Sequence, residues 1–447
     1  MTSIRFVNHA SVVITRDDVS LLSDPWYTGT AFHEGWSLLY ENEKEDILNV
    51  INEITHIWIS HEHPDHFSIP FFKRCFRQLK ERKIKILFQK TKDKRVFKYL
   101  NSLGLDVQEL ENKKTYFLSK NFKIKCVKNG FYDSALLFEI EGKNIINLND
   151  CPIHEIEEIK KFQKENGSCD VLLTQFSYAA WKGGKENLIW RQQAAEEKVD
   201  TIINQAHIFS AKIVIPFASF IRFSNTMNHY LNDSINTPDI LIKKIQQNNF
   251  KLFFLKPMEK QNLNEISQNP SSIEFWKKKY NDINNQSLIT YQKNTTIEEL
   301  QKLYEEYIKR IFKKNAYWMV WLASKLKIFG SFQKVNIFIK DINTTIILDL
   351  LSKNLIITKE EPHLIMNSES IKFIFLNNFG FDTLTVNGCF EENKKNGFVR
   401  ASKALAIENL NNLGIFINPK IIFRLDLFFL YLKLLSKVKK KLQKNNN

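Results

Sequence analysis

Cysteine is scarce in this chain of 447 residues: there are five, Cys75, Cys126, Cys151, Cys169 and Cys389. The number is odd, and no CxxC or Cys-x-His pair occurs. That argues against a disulfide framework, a structural zinc knuckle or a Rieske cluster within this chain. Long apolar runs are missing too, and none reaches membrane-spanning length. The stretch MTSIRFVNHASVVI lacks the charged-then-apolar layout of a signal segment. A reducing cytoplasm is therefore the expected compartment. Zinc-finger, homeodomain and RRM-type signatures are absent. The 64 basic and 49 acidic residues leave a net charge of +15, but Lys and Asn are spread along the whole chain. The excess reads as a Lys-rich bias, and no nucleic-acid partner is expected. A small anionic substrate fits the charge equally well.

What is present is ample apolar material. Hydrophobic residues make up 43% and aromatics 13%, with 36 Phe, enough for a globular chain of two or three domains. The first part alternates short β-branched segments with turns and helical stretches. IRFVNHASVVI, VSLLSDPW and ITHIWIS read as strands; FFKRCFRQLKERK reads as a helix; FKIKCVKNG, SALLFEIEG and KNIINLND read as strands again. Residues 186–208 read as a helix before a strand at AKIVIPFASF. This series predicts a layered α/β domain over residues 1–255. The Asn-rich residues 256–295 read as a linker or long loop. Residues 296–420 read as an α+β domain that begins with a helix over 296–326. Residues 421–447 read as a basic amphipathic tail helix, packed on its own domain or resting on a membrane surface.

One stretch is dense in ligand chemistry. HEHPDH (61–66) follows the apolar strand HIWIS and packs three imidazoles and two carboxylates into six positions. Side chains two apart on an extended segment share a face, so His61 and His63 can grip one metal. Asp65 and His66 follow as the chain turns after Pro64, and they can reach a second metal about 3.5–4 Å away. Imidazole and carboxylate together suit Zn²⁺, Fe²⁺ or Mn²⁺. One or two divalent ions, iron or zinc, are the expected cofactors.

HEHPDH resembles the HxHxDH motif of the metallo-β-lactamase fold, which implies an αββα sandwich. NHASVVI (8–14), with His9, is similar to the first-strand signature of the branch that includes ascorbate-phosphate lactonases. LLSDPWYTGTAFHEGWSLL (21–39) closely resembles the opening of the metallo-β-lactamase portion of CMP-N-acetylneuraminate hydroxylases. The likeness continues at INLNDC (146–151), LLTQFSYAAWKGG (172–184) and IVIPFASF (213–220), and covers about residues 1–240. It implies that His61, His63, Asp65 and His66 are metal ligands and that Asp150 bridges two metals. Asp65 and Asp150 are the implied catalytic groups; His9 and Asp24 support the site. Read without the resemblance, Asp150 is a turn residue in LNDCP and Asp24 an Asp before Pro.

The chain also departs from the family pattern. The stretch that matches the third-strand His is VKNGFYDSALL (127–137), which has Tyr132 and Asp133 but no His. The stretch that matches the late His is PFASFIRFSNTMNHYLND (216–233). There Asn225, Thr226 and Met227 replace a His-Glu-Glu run, and His229 reads as structural. The site is expected to hold one metal, to bind weakly, or to recruit Asp133, Asn225 or Asn228. LIMNSESIKFIFLNNFGFDTLTVNGCFEE (364–392) is similar to sterol-carrier-protein-like domains, through its Gly-Phe-Asp-Thr-Leu run and Val-Asn-Gly turn.

Three functional readings follow. The leading one is a metal-dependent oxidoreductase, monooxygenase-like, acting on an anionic nucleotide-sugar type of substrate and taking electrons from a separate donor protein. The second is a metal-dependent hydrolase of phosphodiesters or lactones. The third is a non-catalytic binding protein with a degenerate metal site.

Overall fold

The computed structural model describes residues 1–292, 295–326 and 331–424. The chain divides into two compact units. The first is Met1–Thr290 with Val386–Gly388, and the second is Tyr291–Thr385 with the residues from Cys389 onward.

The first unit is an αββα sandwich built on two seven-stranded sheets. In one, Val19–Ser23, His56–Ile59, Lys85–Gln89 and Asp106–Leu110 run parallel. Its outer part is the antiparallel set Ser11–Arg16, Ser3–Asn8 and Lys260–Asn262. In the other, Lys143–Asn149, Val171–Gln175, Ile213–Phe217 and Lys251–Leu252 run parallel. Antiparallel Asp133–Ile140, Phe122–Asn129 and Thr115–Ser119 extend that sheet.

Helix Ile69–Glu81 shows how the sequence covers the first sheet. Ser68 caps its start by accepting Phe71 N at 3.3 Å, and Pro70 sits in the first turn, where no N–H partner is needed. Phe71, Phe72, Cys75 and Leu79 form its buried stripe. They join Val50 and Ile51 of helix Lys44–Glu53, Val96 and Leu100 of helix Arg95–Ser102, and strand residues Ile57, Ile59 and Ile86 in one core. Each fully buried aliphatic or aromatic side chain in it contributes about 1.5–3 kcal/mol. The parallel strands end on a common edge, and that edge carries the candidate site.

Three sequence expectations are corrected by the fold. IRFVNHASVVI is two strands around a tight turn, Ser3–Asn8 and Ser11–Arg16, with His9 at φ +38°. The stretch lacks the Gly that usually marks such a reversal. The expected linker 256–295 carries the edge strand Lys260–Asn262 and the helix Pro270–Asn281. Asn269 caps that helix and Pro270 opens it. Buried Trp276 locks it in place, donating to Leu255 O at 2.8 Å and stacking 4.0 Å from Phe220. The helix expected over 296–326 is two helices, Ile297–Phe312 and Tyr317–Lys325. Asn315 separates them: its Nδ2 donates to Ile311 O and its Oδ1 accepts Ile417 N.

The second unit is α+β. Its five-stranded sheet runs Ile356–Thr358, Thr344–Leu348, Val335–Ile339, Leu364–Met366, Glu391–Glu392. Helices Ser368–Leu376 and Gly397–Asn412 follow the sheet's fourth and fifth strands. The expected tail helix begins within the short 3-10 turn Pro419–Phe423, and from residue 425 on it lies outside the described residues. No described helix is long and apolar enough to cross a membrane. No disulfide joins any two of the five cysteines.

Candidate metal centre

HEHPDH begins where strand His56–Ile59 ends. His61 and His63 turn to one side, with His61 Nε2 2.8 Å from His63 Nδ1. Glu62 turns to the other and meets Arg95 Nη2 at 2.9 Å. The chain then closes a turn in which His66 N and Phe67 N both donate to His63 O, at 3.0 and 2.7 Å. That turn swings Asp65 and His66 back over the sheet edge, as the sequence spacing implies.

Two clusters result, each with one donor atom per residue inside a 4.8 Å sphere of mutual distances. One is His61, His63 and Asp150; the other is His9, Asp65 and His66. Asp150 follows strand Lys143–Asn149 of the second sheet. Its Oδ2 lies 3.7 Å from His61 Nε2 and 3.5 Å from His66 Nε2, so it faces both clusters. In the second cluster Asp65 Oδ2 stands 3.2 Å from both His9 Nε2 and His66 Nε2. All three residues are buried.

His9 thus stands nearer the chemistry than its expected supporting role. The signal that could have found it is the turn itself, since a His at φ +38° between two strands is backbone strain of the kind that gathers at sites. The structure brings His9, Asp24, His61, His63, Asp65, His66, Asp133 and Asp150 to one edge. Asn225 and Asn228 are buried too, and most of their polar atoms are engaged with backbone. Asn228 Nδ2 donates to Gly35 O at 2.8 Å and its Oδ1 accepts Asn225 N, while Asn225 Oδ1 accepts Met227 N at 3.1 Å. Asn225 thus braces its own loop, while Asn228 also ties that loop to the backbone of Gly35 and Asn387. His229 opens the short 3-10 turn His229–Ser234 and belongs to neither cluster.

Behind the clusters lies a rigid support. Asp24, buried and at φ +38°, accepts Ser60 N and Ser60 Oγ, each at 2.8 Å, and His66 Nδ1 at 3.0 Å. With Ser60 Oγ donating to Asp24, it can accept His61 Nδ1–H at 3.0 Å. With a cation bound, both imidazoles would keep their proton on Nδ1 and turn a bare Nε2 to the centre, the arrangement that metal-ligating His requires. Ser60 O is itself held by Gln89 Nε2 at 3.1 Å and Ser134 Oγ at 2.6 Å. Ser60, the residue directly before the motif, carries no signal in the sequence that marks this role.

The donors fit a cation. His66 Nε2, Asp65 Oδ1 and Asp150 Oδ1 are buried and have no hydrogen-bond partner, although such atoms are normally satisfied. Charge is concentrated here as well. Burial opposes ionisation of Asp65, yet His66 and His9 hold its carboxyl well below the usual range. Burial and the neighbouring Asp150 carboxylate push Asp133 up to about 7. Its Oδ1 lies 3.8 Å from His61 Nε2, beside the cluster that lacks a third imidazole. A divalent cation would replace the protons these groups otherwise share.

Residues 3–193 match the family described as Beta-lactamase superfamily domain. Among curated proteins, the chain is 24% identical over 253 residues to a cytidine monophosphate-N-acetylneuraminic acid hydroxylase of Danio rerio, covering 52% of this chain and 40% of that protein. It is 25% identical to the Homo sapiens protein described as inactive cytidine monophosphate-N-acetylneuraminic acid hydroxylase, covering 55% and 50%. The chain therefore spans about half the length of these curated relatives. A solved structure of a possible metal-dependent hydrolase from Veillonella parvula aligns at 14% identity and a TM-score of 0.43, over 59% of this chain and all of that one. CmlA, a diiron β-hydroxylase from Streptomyces venezuelae, aligns at 14% and 0.42, over 59% and 54%.

Proposed function

We propose that the chain is a metal-dependent oxygenase of the beta-lactamase superfamily that hydroxylates an anionic nucleotide-sugar type of substrate. The observation that carries this reading is the composition of the two clusters. Each is two imidazoles and one carboxylate: His61, His63 and Asp150 in one, His9, His66 and Asp65 in the other. Two His and one carboxylate with remaining positions open is the donor set of non-haem iron oxygenases. The similarity to the hydroxylases of Danio rerio and Homo sapiens supports the same class. Iron bound at these groups would supply oxygen activation. The chain's own part is to hold the donors and set their tautomers. Asp24 and Ser60 fix His66 and His61, and Asp150 spans the clusters from the second sheet. Hydroxylation places one oxygen atom of O₂ in a C–H bond and releases the other as water. It needs two electrons and two protons, which a separate donor protein would deliver.

The test is elemental analysis of protein purified without chelator. Incubation with cytidine monophosphate-N-acetylneuraminate, oxygen and a chemical reductant follows, with products read by mass spectrometry. The expected result is bound iron, lost in His63→Ala, and a product one oxygen heavier. Zinc with oxygen-independent cleavage of phosphodiesters would move the assignment to a hydrolase. No metal in the wild type, even after reconstitution, would leave only a binding protein.

A further inference from the structure

Beside the clusters, the ends of the second sheet's parallel strands carry basic groups that the metal centre does not use. Lys198 lies on the helix Leu188–Ile208, seven residues before Gln205, so the two share a face about two turns apart. Gln205 pins that face: its Oε1 accepts Thr174 Oγ1 at 2.8 Å and its Nε2 donates to Ile153 O at 2.8 Å. Thr174 is on strand Val171–Gln175, and Ile153 follows Asp150 closely. Lys198 is thereby carried over the end of this strand, where its Nζ donates to Gln175 Oε1 at 2.5 Å. Strand Lys143–Asn149, which delivers Asp150, is the parallel neighbour.

The charges that act on Lys198 are Asp150, Lys182 and Glu197, and burial, the largest influence, pushes its amine down to about 8. Burial pushes His154 down to about 4, and the charges that act on it are Lys198, Asp150 and Lys182. Gln175, which receives Lys198, directly follows Thr174, and Thr174 pairs with Asn149 next to Asp150, so Lys198 stands at the strand end beside Asp150. Lys182 comes from the loop between strand Val171–Gln175 and the helix. Among the described residues neither lysine has a carboxylate within ion-pairing distance, and the one hydrogen-bond partner of Lys198 is a neutral amide. Lys198 is half-buried, and an ammonium partly withdrawn from water with only an amide for company is costly. An oxyanion placed beside it would offset that cost, and Lys is a compact point charge suited to such a group.

We propose that Lys198, with Lys182 beside it, anchors an anionic oxygen group of the substrate against the Asp150 side of the centre. The proposal rests on the reading of the His/Asp clusters as a catalytic centre and names the part of the substrate that this centre receives. Phosphoryl and carboxylate groups share the required chemistry.

The test is calorimetric titration of the full chain, metal-loaded and metal-free, with two separate probes: cytidine monophosphate for the phosphoryl group and free N-acetylneuraminate for the carboxylate. Wild type should bind at least one probe, more weakly as salt is raised. Lys198→Met should weaken that binding roughly 30-fold or more, with unchanged metal content and melting temperature. Lys198→Arg, which keeps the charge, should stay within a few-fold of wild type. His63→Ala should lose metal from its cluster yet keep the Lys198-dependent part of the binding. If Lys198→Met binds both probes as tightly as wild type, or if wild type binds neither, the anchor is overturned whatever the metal content. If wild type takes up no metal but binding still depends on Lys198, the catalytic reading fails and the anchor stands. Which probe depends on Lys198 decides between phosphoryl and carboxylate.

Discussion

Replacing Asp24 by Asn should weaken metal binding without disturbing the fold. Asp24 sits at φ +38°, a conformation Asn tolerates better than most residues, and the two side chains are nearly the same size. The Asn Oδ1 can keep the bond from Ser60 N, now 2.8 Å. The other position is the sensitive one. Asp24 Oδ2 accepts from His66 Nδ1 at 3.0 Å and from Ser60 Oγ at 2.8 Å. An amide NH₂ there donates instead, so His66 Nδ1 must accept and its proton moves to Nε2. That nitrogen faces Asp65 at 3.2 Å and Asp150 at 3.5 Å. A protonated Nε2 cannot ligate. Changes to such supporting partners cost about 10–100-fold in metal affinity, or roughly 1.4–2.7 kcal/mol. The assay is competition for iron or zinc against a chelator of known affinity, with circular dichroism and melting of the metal-free proteins as the fold control. Wild-type affinity in Asp24→Asn, with an unchanged fold, would show that His66 is not held as a ligand through this contact.

Removing His9 should separate the two clusters: His9→Ala is expected to lose about one equivalent of metal by elemental analysis while the His61, His63 and Asp150 group keeps its own, and equal loss from both would refute the division. Trp276→Ala should destabilise the first unit by about 3–5 kcal/mol in urea unfolding, the range for a truncated core aromatic, because it empties the contact with Phe220 at 4.0 Å and the bond to Leu255 O; a cost under about 1 kcal/mol would refute the helix placement. Glu408 in the second unit is held at about 7 by burial, against the opposing pull of Arg310 at 2.9 Å. Its folded value exceeds its ordinary 4.5, so the folded state binds the proton more tightly. Its contribution is fully present below about pH 4.5 and is lost as pH rises to about 7, by at most about 3 kcal/mol. Glu408→Gln should therefore gain stability relative to wild type between pH 5 and pH 8 in melting experiments, and a pH-independent difference would refute the assignment.

The parts of the site that were legible in the sequence are those made locally. HEHPDH carries four candidate ligands in six positions, so the period-two rule and one turn place them with no knowledge of the fold. Asp150 was found through its resemblance rather than its surroundings, since LNDCP alone is an ordinary turn. Asn225 and Asn228 fit the same loop-matching logic, and most of their polar atoms are engaged with backbone. His9 and Lys198 were less legible still. The cluster partner of His9 is 56 positions away, at Asp65, across a hairpin that no Gly announces. Lys198 reads as any solvated helix lysine in AAEEKVD until Gln205 orients that face. Residues 256–295 misled in another way: their Asn and Ser content resembles a linker, but Asn269, Pro270 and Trp276 supply a cap, a first turn and an anchor.

The origins of the donors also make the two clusters unequal. His9, Asp65 and His66, with Asp24 behind them, all come from the first sheet and its loops, and all are buried. The other cluster is less enclosed: His63 and Asp150 are only partly buried, and Asp150 arrives from the second sheet. The first is preorganised by one sheet, whereas the second exists only while two sheets stay in register. Asp133 is on the second sheet as well, and Lys198 reaches the end of that sheet from the helix Leu188–Ile208. Positioning of a substrate would therefore be coupled to the more open cluster and leave the enclosed one undisturbed. For the proposed oxygenase, which must admit both oxygen and a substrate, an open position in one cluster and a fixed donor set in the other are what preorganisation demands.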